Sequence, residues 1–282
     1  MKIFLTHFMT VLAALSSIAT LISFCFGWNV KANSPWYCYV VIFVVVFGFA
    51  FVYAFLLTQS PKRINLAIAP GKLNITIQQA DLFLQKGIIV IGVNEYFDTH
   101  VGHGVVSSDS FHGIFINKYF HDRADELYQK ITDSLLDQGI VPIEKDCSRK
   151  TEYGRKKKYP IGSCAKIRDG ENTYVLVALS HFDDNDKAYL ERIEYNTVIG
   201  KLMAYLATVA EANEVHMYIL GSGLTRLDRT AKRILYYMID AIDFQHTPTL
   251  IGGLHIDILS LKKEGIHLGE VKSTFKNGII QN

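Results

Sequence analysis

Gly87-Ile88-Ile89-Val90-Ile91-Gly92-Val93 runs without a polar break into Asn94-Glu95-Tyr96-Phe97-Asp98-Thr99. A short β-branched run with no helical period predicts a strand buried on both faces, which belongs in the middle of a parallel or mixed sheet. Upstream, Ile64-Asn65-Leu66-Ala67-Ile68 and Leu73-Asn74-Ile75-Thr76-Ile77 alternate apolar and polar residues around an Ala69-Pro70-Gly71-Lys72 turn, so each strand lays one face on a core. Downstream, Leu127, Ile131 and Leu135 recur at helical spacing, and a helix is predicted from about Arg123 to Gln138 with Gly139 as its stop. A strand at Tyr174 to Leu179, a helix at Leu190 to Ala212, a strand at Val215 to Leu220, a helix at Thr225 to Ile242 and a strand at Leu254 to Leu259 follow. Strands and helices taking turns predict an α/β/α three-layer sandwich with a mixed sheet.

The N-terminal part has a different character. The 282 residues are 49% hydrophobic and 20% charged, yet the first acidic residue is Asp81, and only Lys2, Lys31, Lys62, Arg63 and Lys72 carry charge before it. No charge stands between Lys2 and Lys31 or between Lys31 and Lys62. Each gap exceeds the roughly 20 apolar residues that a helix needs to cross about 30 Å of hydrocarbon. Two N-terminal transmembrane helices are therefore expected, from about Phe4 to Trp28 and from Trp36 to Thr58, forming a two-helix hairpin over residues 1–61 ahead of a second domain at 62–282. A cleaved signal peptide is a poorer reading, because the first apolar stretch is too long and a second follows at once. Lys2 at one end and Lys62 with Arg63 at the other outnumber Lys31 in the turn, so a two-pass protein of the inner membrane with both termini cytoplasmic is expected. Thr10, Ala13, Ala14, Ser16, Ser17, Ala19 and Thr20 offer small faces either for packing within the hairpin or for assembly between chains. The 29 basic residues against 27 acidic leave the part beyond Lys31 balanced, and no nucleic-acid partner is expected. The four cysteines show no paired spacing and read as free thiols.

Two loops fall where ligands sit in open α/β sheets, outside the carboxyl ends of strands. In Asn94 to Val106, Gly102-His103-Gly104 lets the backbone approach a phosphate and Asn94 can reach a ribose hydroxyl; a plain flexible loop is the competing view. Gly221-Ser222-Gly223-Leu224-Thr225 follows a strand and opens a helix, whose positive end suits a diphosphate, with Arg226 or Arg229 adding charge. His100 and His103 lack partners for a metal, and the acids of His181 to Asp186 read as a solvated helix start rather than a cation site. Arg155-Lys156-Lys157-Lys158 is either a solvated tip or a contact for anionic membrane lipid.

These residues resemble a known family. Leu73 to Gln78 followed by Asp81, the strand ending in Asn94, and the loops at Gly102 to Val106 and Gly221 to Gly223 look like a macro domain, the ADP-ribose-binding fold. Val90 to Thr99, with Phe111-His112-Gly113 and the two preceding apolar segments, is similar to the transmembrane macro-domain effector of type II Thoeris antiphage defence, which carries a ThsA-type macro domain. The resemblance implies a bacterial effector in which a TIR-domain enzyme converts NAD into a signal, a histidine conjugate of ADP-ribose. The cytoplasmic macro domain binds it, and the membrane segments, as a homo-oligomer, then disrupt the membrane in abortive infection. The ligand set it implies is Asp81 toward the adenine, Asn94 in the distal ribose region, and Gly102, His103, Gly104, Val105, Gly221, Ser222, Gly223 and Leu224 around the diphosphate, together with Leu82, Phe97 and Asp98. It implies no catalytic residue, cofactor or metal. The sequence departs from the general pattern at Ala80, where a glycine commonly stands, and at Gly102-His103-Gly104 in place of three glycines. A membrane-anchored ADP-ribosyl hydrolase, with Asp98 or His103 as base, and a passive ADP-ribose reader are the rival expectations.

Overall fold

A computed structural model of the chain describes residues 5, 8–17, 36–57, 61–69, 73–143, 152–183, 187–223, 227, 229–244 and 249–278. The chain divides into two compact units, Met1–Pro61 and Lys62–Asn282.

In the first unit residues 8–17 are helical and a helix α1 covers Trp36–Leu57. Phe8, Ala50 and Ala54 bury against one another with Val11, Leu12 and Leu15 beside them. Ser16 and Ser17 both donate to the carbonyl of Ala13 at 2.9 Å, so these hydroxyls are satisfied within their own helix. The expected pair of transmembrane helices is corrected here: among the described residues no helix is long and apolar enough to cross a membrane. The two-pass inner-membrane placement with both termini cytoplasmic rested on those spans and falls with them.

The second unit is built on a sheet of β1 (Arg63–Ala69), β2 (Leu73–Gln78), β3 (Ile88–Asn94), β4 (Cys164–Asp169), β5 (Asn172–Phe182), β6 (Ala188–Tyr189), β7 (Val215–Met217) and β8 (Leu254–Asp257). The order is β1-β2-β8-β7-β3-β5-β4, with β6 on the end of β5. Strands β2, β8, β7, β3 and β5 are parallel, while the outer strands β1 and β4 are antiparallel to their neighbours. This is the mixed sheet that the alternation predicts. Every residue of β3 except the half-buried Gly92 is buried, as are residues 174–180 of β5. Successive strand residues face opposite sides, so the centre of the sheet is covered on both.

The helices are α2 (Phe111–Tyr119), α3 (Ala124–Leu136), α4 (Arg192–Val209), α5 (Ala231–Phe244) and α6 (Leu268–Gly278). Leu127, Ile131 and Leu135 form the buried stripe of α3 that their spacing predicts. Strand β4 and helices α2 and α6 are additions to the sequence reading. Strand β7 ends at Met217, not Leu220, because Tyr218 to Leu220 leave the ladder for the turn at Gly221. Helix α5 starts at Ala231, and Thr225, where the sequence places its start, lies outside the described residues.

Candidate functional site

The carboxyl ends of parallel strands β3, β5 and β7 deliver Gly92 to Asn94, Leu179 with Ser180, and Tyr218 to one cleft of about 860 Å³. That volume suits a nucleotide-sized ligand. Loop residues 104–110, the first turn of α2, Gly221 to Gly223, and Lys263 with Glu264 close the walls. A second hollow of about 450 Å³ shares Gly221 to Gly223 and continues to Arg229 and Ile234.

Below the cleft, the polar residues after β3 bond to one another. The Asn94 side-chain oxygen accepts from the amides of Tyr96 (3.0 Å) and Asp98 (3.3 Å), and its amide donates to the Asp98 carboxylate (2.9 Å). Such a turn fixes the backbone through a side chain that mimics a peptide group. Asp98 also accepts from the Arg155 amide at 2.7 Å, and the Arg155 guanidinium donates to Thr99 Oγ1 and Asp125 at 2.8 Å each. Phe97 adopts φ of +49° and sends its ring into the core, edge-on to Tyr159 at 5.6 Å. Asn94 lines the cleft, whereas Phe97 and Asp98 do not.

Glu95, fully buried, accepts from the His181 ring (2.7 Å), Lys158 Nζ (3.0 Å) and the Phe182 amide (3.1 Å), and the other nitrogen of His181 meets Glu194 at 3.0 Å. Burial alone raises the Glu95 pKa, but its bonds to His181, Lys158 and Phe182 outweigh that and hold it below the ordinary value. The bond to Glu95 raises the His181 pKa against partial burial, with Glu194 adding to the rise. Arg155 and Lys158 of the basic run thus bond inward to Asp98, Thr99 and Glu95, while Lys156 and Lys157 are exposed. Residues 144–151 and 184–186, in the other charged stretches singled out by the sequence, lie outside the described residues.

The rim is made of backbone. Gly102, His103 and Gly104 take φ of +93°, +51° and +76°, a left-handed run that glycine allows at both ends. The turn is closed by the amides of Gly102 on Val106 (2.8 Å) and of Val105 on Gly102 (2.9 Å). Among the described residues no backbone bond takes the amides of His103 and Gly104. The His103 ring stacks on Tyr153 at 4.0 Å and does not line the cleft. Across the opening, Tyr195 donates to the Leu220 carbonyl at 2.9 Å and the Ser222 hydroxyl to Ile219 at 2.7 Å, which pins the turn around Gly221. Leu224, Thr225 and Arg226 lie outside the described residues.

The helix that does present its start to the cleft is α2. Ser110 caps it by accepting from the Gly113 amide at 3.0 Å, and Phe111 and His112 in its first turn line the opening. Burial pushes the His112 pKa down to about 4 despite a bond to the Asp98 carbonyl, so the imidazole is neutral at pH 7. Asp81 caps the single turn Leu82–Leu84 by accepting from the Phe83 amide at 2.9 Å, and Leu82 is buried in the core. Neither lines the cleft. Both follow β2, on the same edge of the sheet, and Phe83 meets Phe111 at 6.1 Å, which in turn stacks on Tyr218 at 3.9 Å.

Residues 75–251 match the model of the Thoeris protein ThsA macro-domain family. The chain belongs to that family. A Thoeris protein ThsA from Bacillus amyloliquefaciens (strain Y2) is 28% identical over 222 residues, which cover 77% of this chain and 69% of that protein. Among solved structures, an Oceanobacillus iheyensis macrodomain with ADP is 10% identical with a TM-score of 0.48, covering 76% of this chain and 97% of the other. A variant of that macrodomain with ADPR is 11% identical with a TM-score of 0.48, over 76% and 99%. The ThsA macro-domain match takes in the cleft from Gly92 to Gly223 and leaves out Lys263 and Glu264. Sequence reading missed the first turn of α2, whose signal is the run of capping residues Ser107-Ser108-Asp109-Ser110. It also missed Ser180, Tyr218 and Lys263, which only strand order brings together.

Proposed function

We propose that this ThsA-type chain is an antiphage defence effector whose macro domain binds an ADP-ribose-derived signal, the histidine conjugate of ADP-ribose made by a partner TIR-domain enzyme. Family membership and a cleft of about 860 Å³ at the carboxyl ends of β3, β5 and β7 support the reading. The one observation that carries it is the pair of facing glycine turns, 102–104 and 221–223, whose backbone can meet a diphosphate without a side chain in between. The first turn of α2 adds its positive end, and Lys187 and Lys263 add charge at the rim. Asn94 keeps one amide proton for a ribose hydroxyl, while Asp98 holds Asn94 in place. Asp81 and Leu82 shape the neighbouring edge toward the adenine, and Leu224 completes the proposed ligand set.

The output is self-association of the chain that stops the infected cell. Ligand must then favour the associating state over the resting one, since equal affinity shifts nothing. Binding without turnover is the favoured reading because Asp98 and His103, the bases a hydrolase would use, do not line the cleft. Titration calorimetry of the full chain with ADP-ribose and with its histidine conjugate tests the proposal. Saturable heat with the conjugate, at least tenfold tighter than with ADP-ribose, is expected; no heat with either overturns it.

A further inference from the structure

Strands β7 and β8 bring a second group of side chains together, away from the cleft. His216 and His255 are register partners in adjacent parallel strands, so both rings leave the same face of the sheet. The rings stack at 4.5 Å with 24° between their planes. Glu214, two residues before His216, reaches the same side, its Oε2 3.4 Å from His216 Nε2 and its Oε1 3.8 Å from His255 Nε2. One ligand atom from each of the three residues lies within 4.8 Å of the others.

We propose that Glu214, His216 and His255 form a divalent-metal site suited to zinc. Two imidazole nitrogens and a carboxylate are a common zinc set, leaving a fourth position to solvent. With metal-ligand distances of about 2.0 to 2.1 Å, the edge of a tetrahedron is about 3.3 Å, so the 3.4 Å pair fits as it stands and the 3.8 Å pair needs only a small contraction.

Two further observations point the same way. His216 Nδ1 meets the buried Asp257 carboxylate at 2.7 Å, and Asp257 in turn accepts from the Gln78 side chain at 2.8 Å. A carboxylate on one ring nitrogen fixes the tautomer and aims the lone pair of the other, Nε2, at Glu214, as second-shell groups do at metal centres. His255, 7% exposed, has no hydrogen bond among the described residues: its Nδ1 has no partner, and its Nε2 is too far from Glu214 for one. A buried polar ring left without a bond is costly. A cation between Nε2 and Glu214 gives that nitrogen a partner, while Nδ1 stays without one. The cation would tie β7 to β8, the strands that lead to the Gly221 turn and to Lys263.

The test is zinc titration of the chelator-treated full chain, followed by calorimetry and by metal content after dialysis. One zinc per chain with micromolar or tighter affinity is expected, with Glu214→Gln and His255→Gln each weakening binding at least tenfold. Glu214 is exposed, so Glu214→Gln leaves the fold intact, as circular dichroism checks. Cobalt(II) in the same site should give the intense visible bands of tetrahedral coordination. Absence of bound zinc, or unchanged affinity in both variants, overturns the proposal.

Discussion

Residues 94–99 and 101–106 are neighbours in the chain and are built on opposite principles. In the first stretch Asn94, Glu95, Asp98 and Thr99 are buried, and their polar groups bond to one another and to Arg155, Lys158 and His181. In the second, Gly102 to Gly104 are exposed in left-handed backbone. The contrast separates two tasks that motif reading merges: buried side chains set the shape of the cleft, and main chain is what it offers to a ligand. Substitutions in 94–99 should therefore strike stability, and those in 101–106 should strike binding.

The largest effect tests the first half of that statement. Glu95→Ala leaves the Lys158 ammonium and the His181 ring without their buried counter-charge and should cost about 3 to 5 kcal/mol. The denaturant midpoint should fall with an unchanged slope; a loss under about 1 kcal/mol would break the contrast. Next comes acid. The His112 imidazole has a folded-state pKa of about 4, below its ordinary value, so between about pH 6.5 and 4 the unfolded chain takes up a proton that the native one refuses. Stability should drop by about 3 kcal/mol over that window, and His112→Gln should flatten the drop. His181 has the opposite sign: its pKa is raised, so its contribution is complete below the unfolded value of about 6.5 and fades as pH rises through the folded one. Urea titrations across pH with His181→Gln would reveal it as a lost alkaline decline.

Asp98→Asn should cost about 1 to 3 kcal/mol, because one amide oxygen cannot serve both the Arg155 amide and the Asn94 side chain. The smallest change in stability belongs to the rim. Gly104→Ala meets open space but a φ of +76°, a strain of about 1 kcal/mol. Its thermal midpoint should barely move while affinity for the histidine conjugate falls at least tenfold by calorimetry. Equal losses of stability and affinity would show that the two stretches share one task.

The central strand was legible because Ile88 to Val93 are of one kind, and helix α3 because Leu127, Ile131 and Leu135 share a face. Helix α2 was hidden by Gly113, which reads as a breaker. It is glycine because the Ser107 carbonyl lies 2.1 Å from where a Cβ would stand. Strand β4 was lost among Lys166, Arg168 and Asp169, whose charges mark an edge rather than a loop. At the cleft the glycine turns could be read directly, but the partners of Asn94 and Asp98 could not. The bond from Arg155 to Asp98 crosses 57 positions, and a tetrad of basic residues looks like a surface until such a bond is seen. The membrane expectation is corrected by the helices: among the described residues none is long and apolar enough to cross a membrane.

Cys164 gives the molecule a gauge of its own opening. Its thiol is buried on β4 and donates to the Gly162 carbonyl at 3.4 Å, and burial pushes its pKa up to about 12. At pH 7 only about one thiol in 10⁵ is then the reactive thiolate. Alkylation at this position must wait for the sheet edge to come apart, so its rate counts excursions from the native state. Excursions that also empty the cleft become rarer in proportion to ligand saturation. The alkylated mass of a single natural peptide thus reports occupancy of the cleft, with no engineered residue introduced.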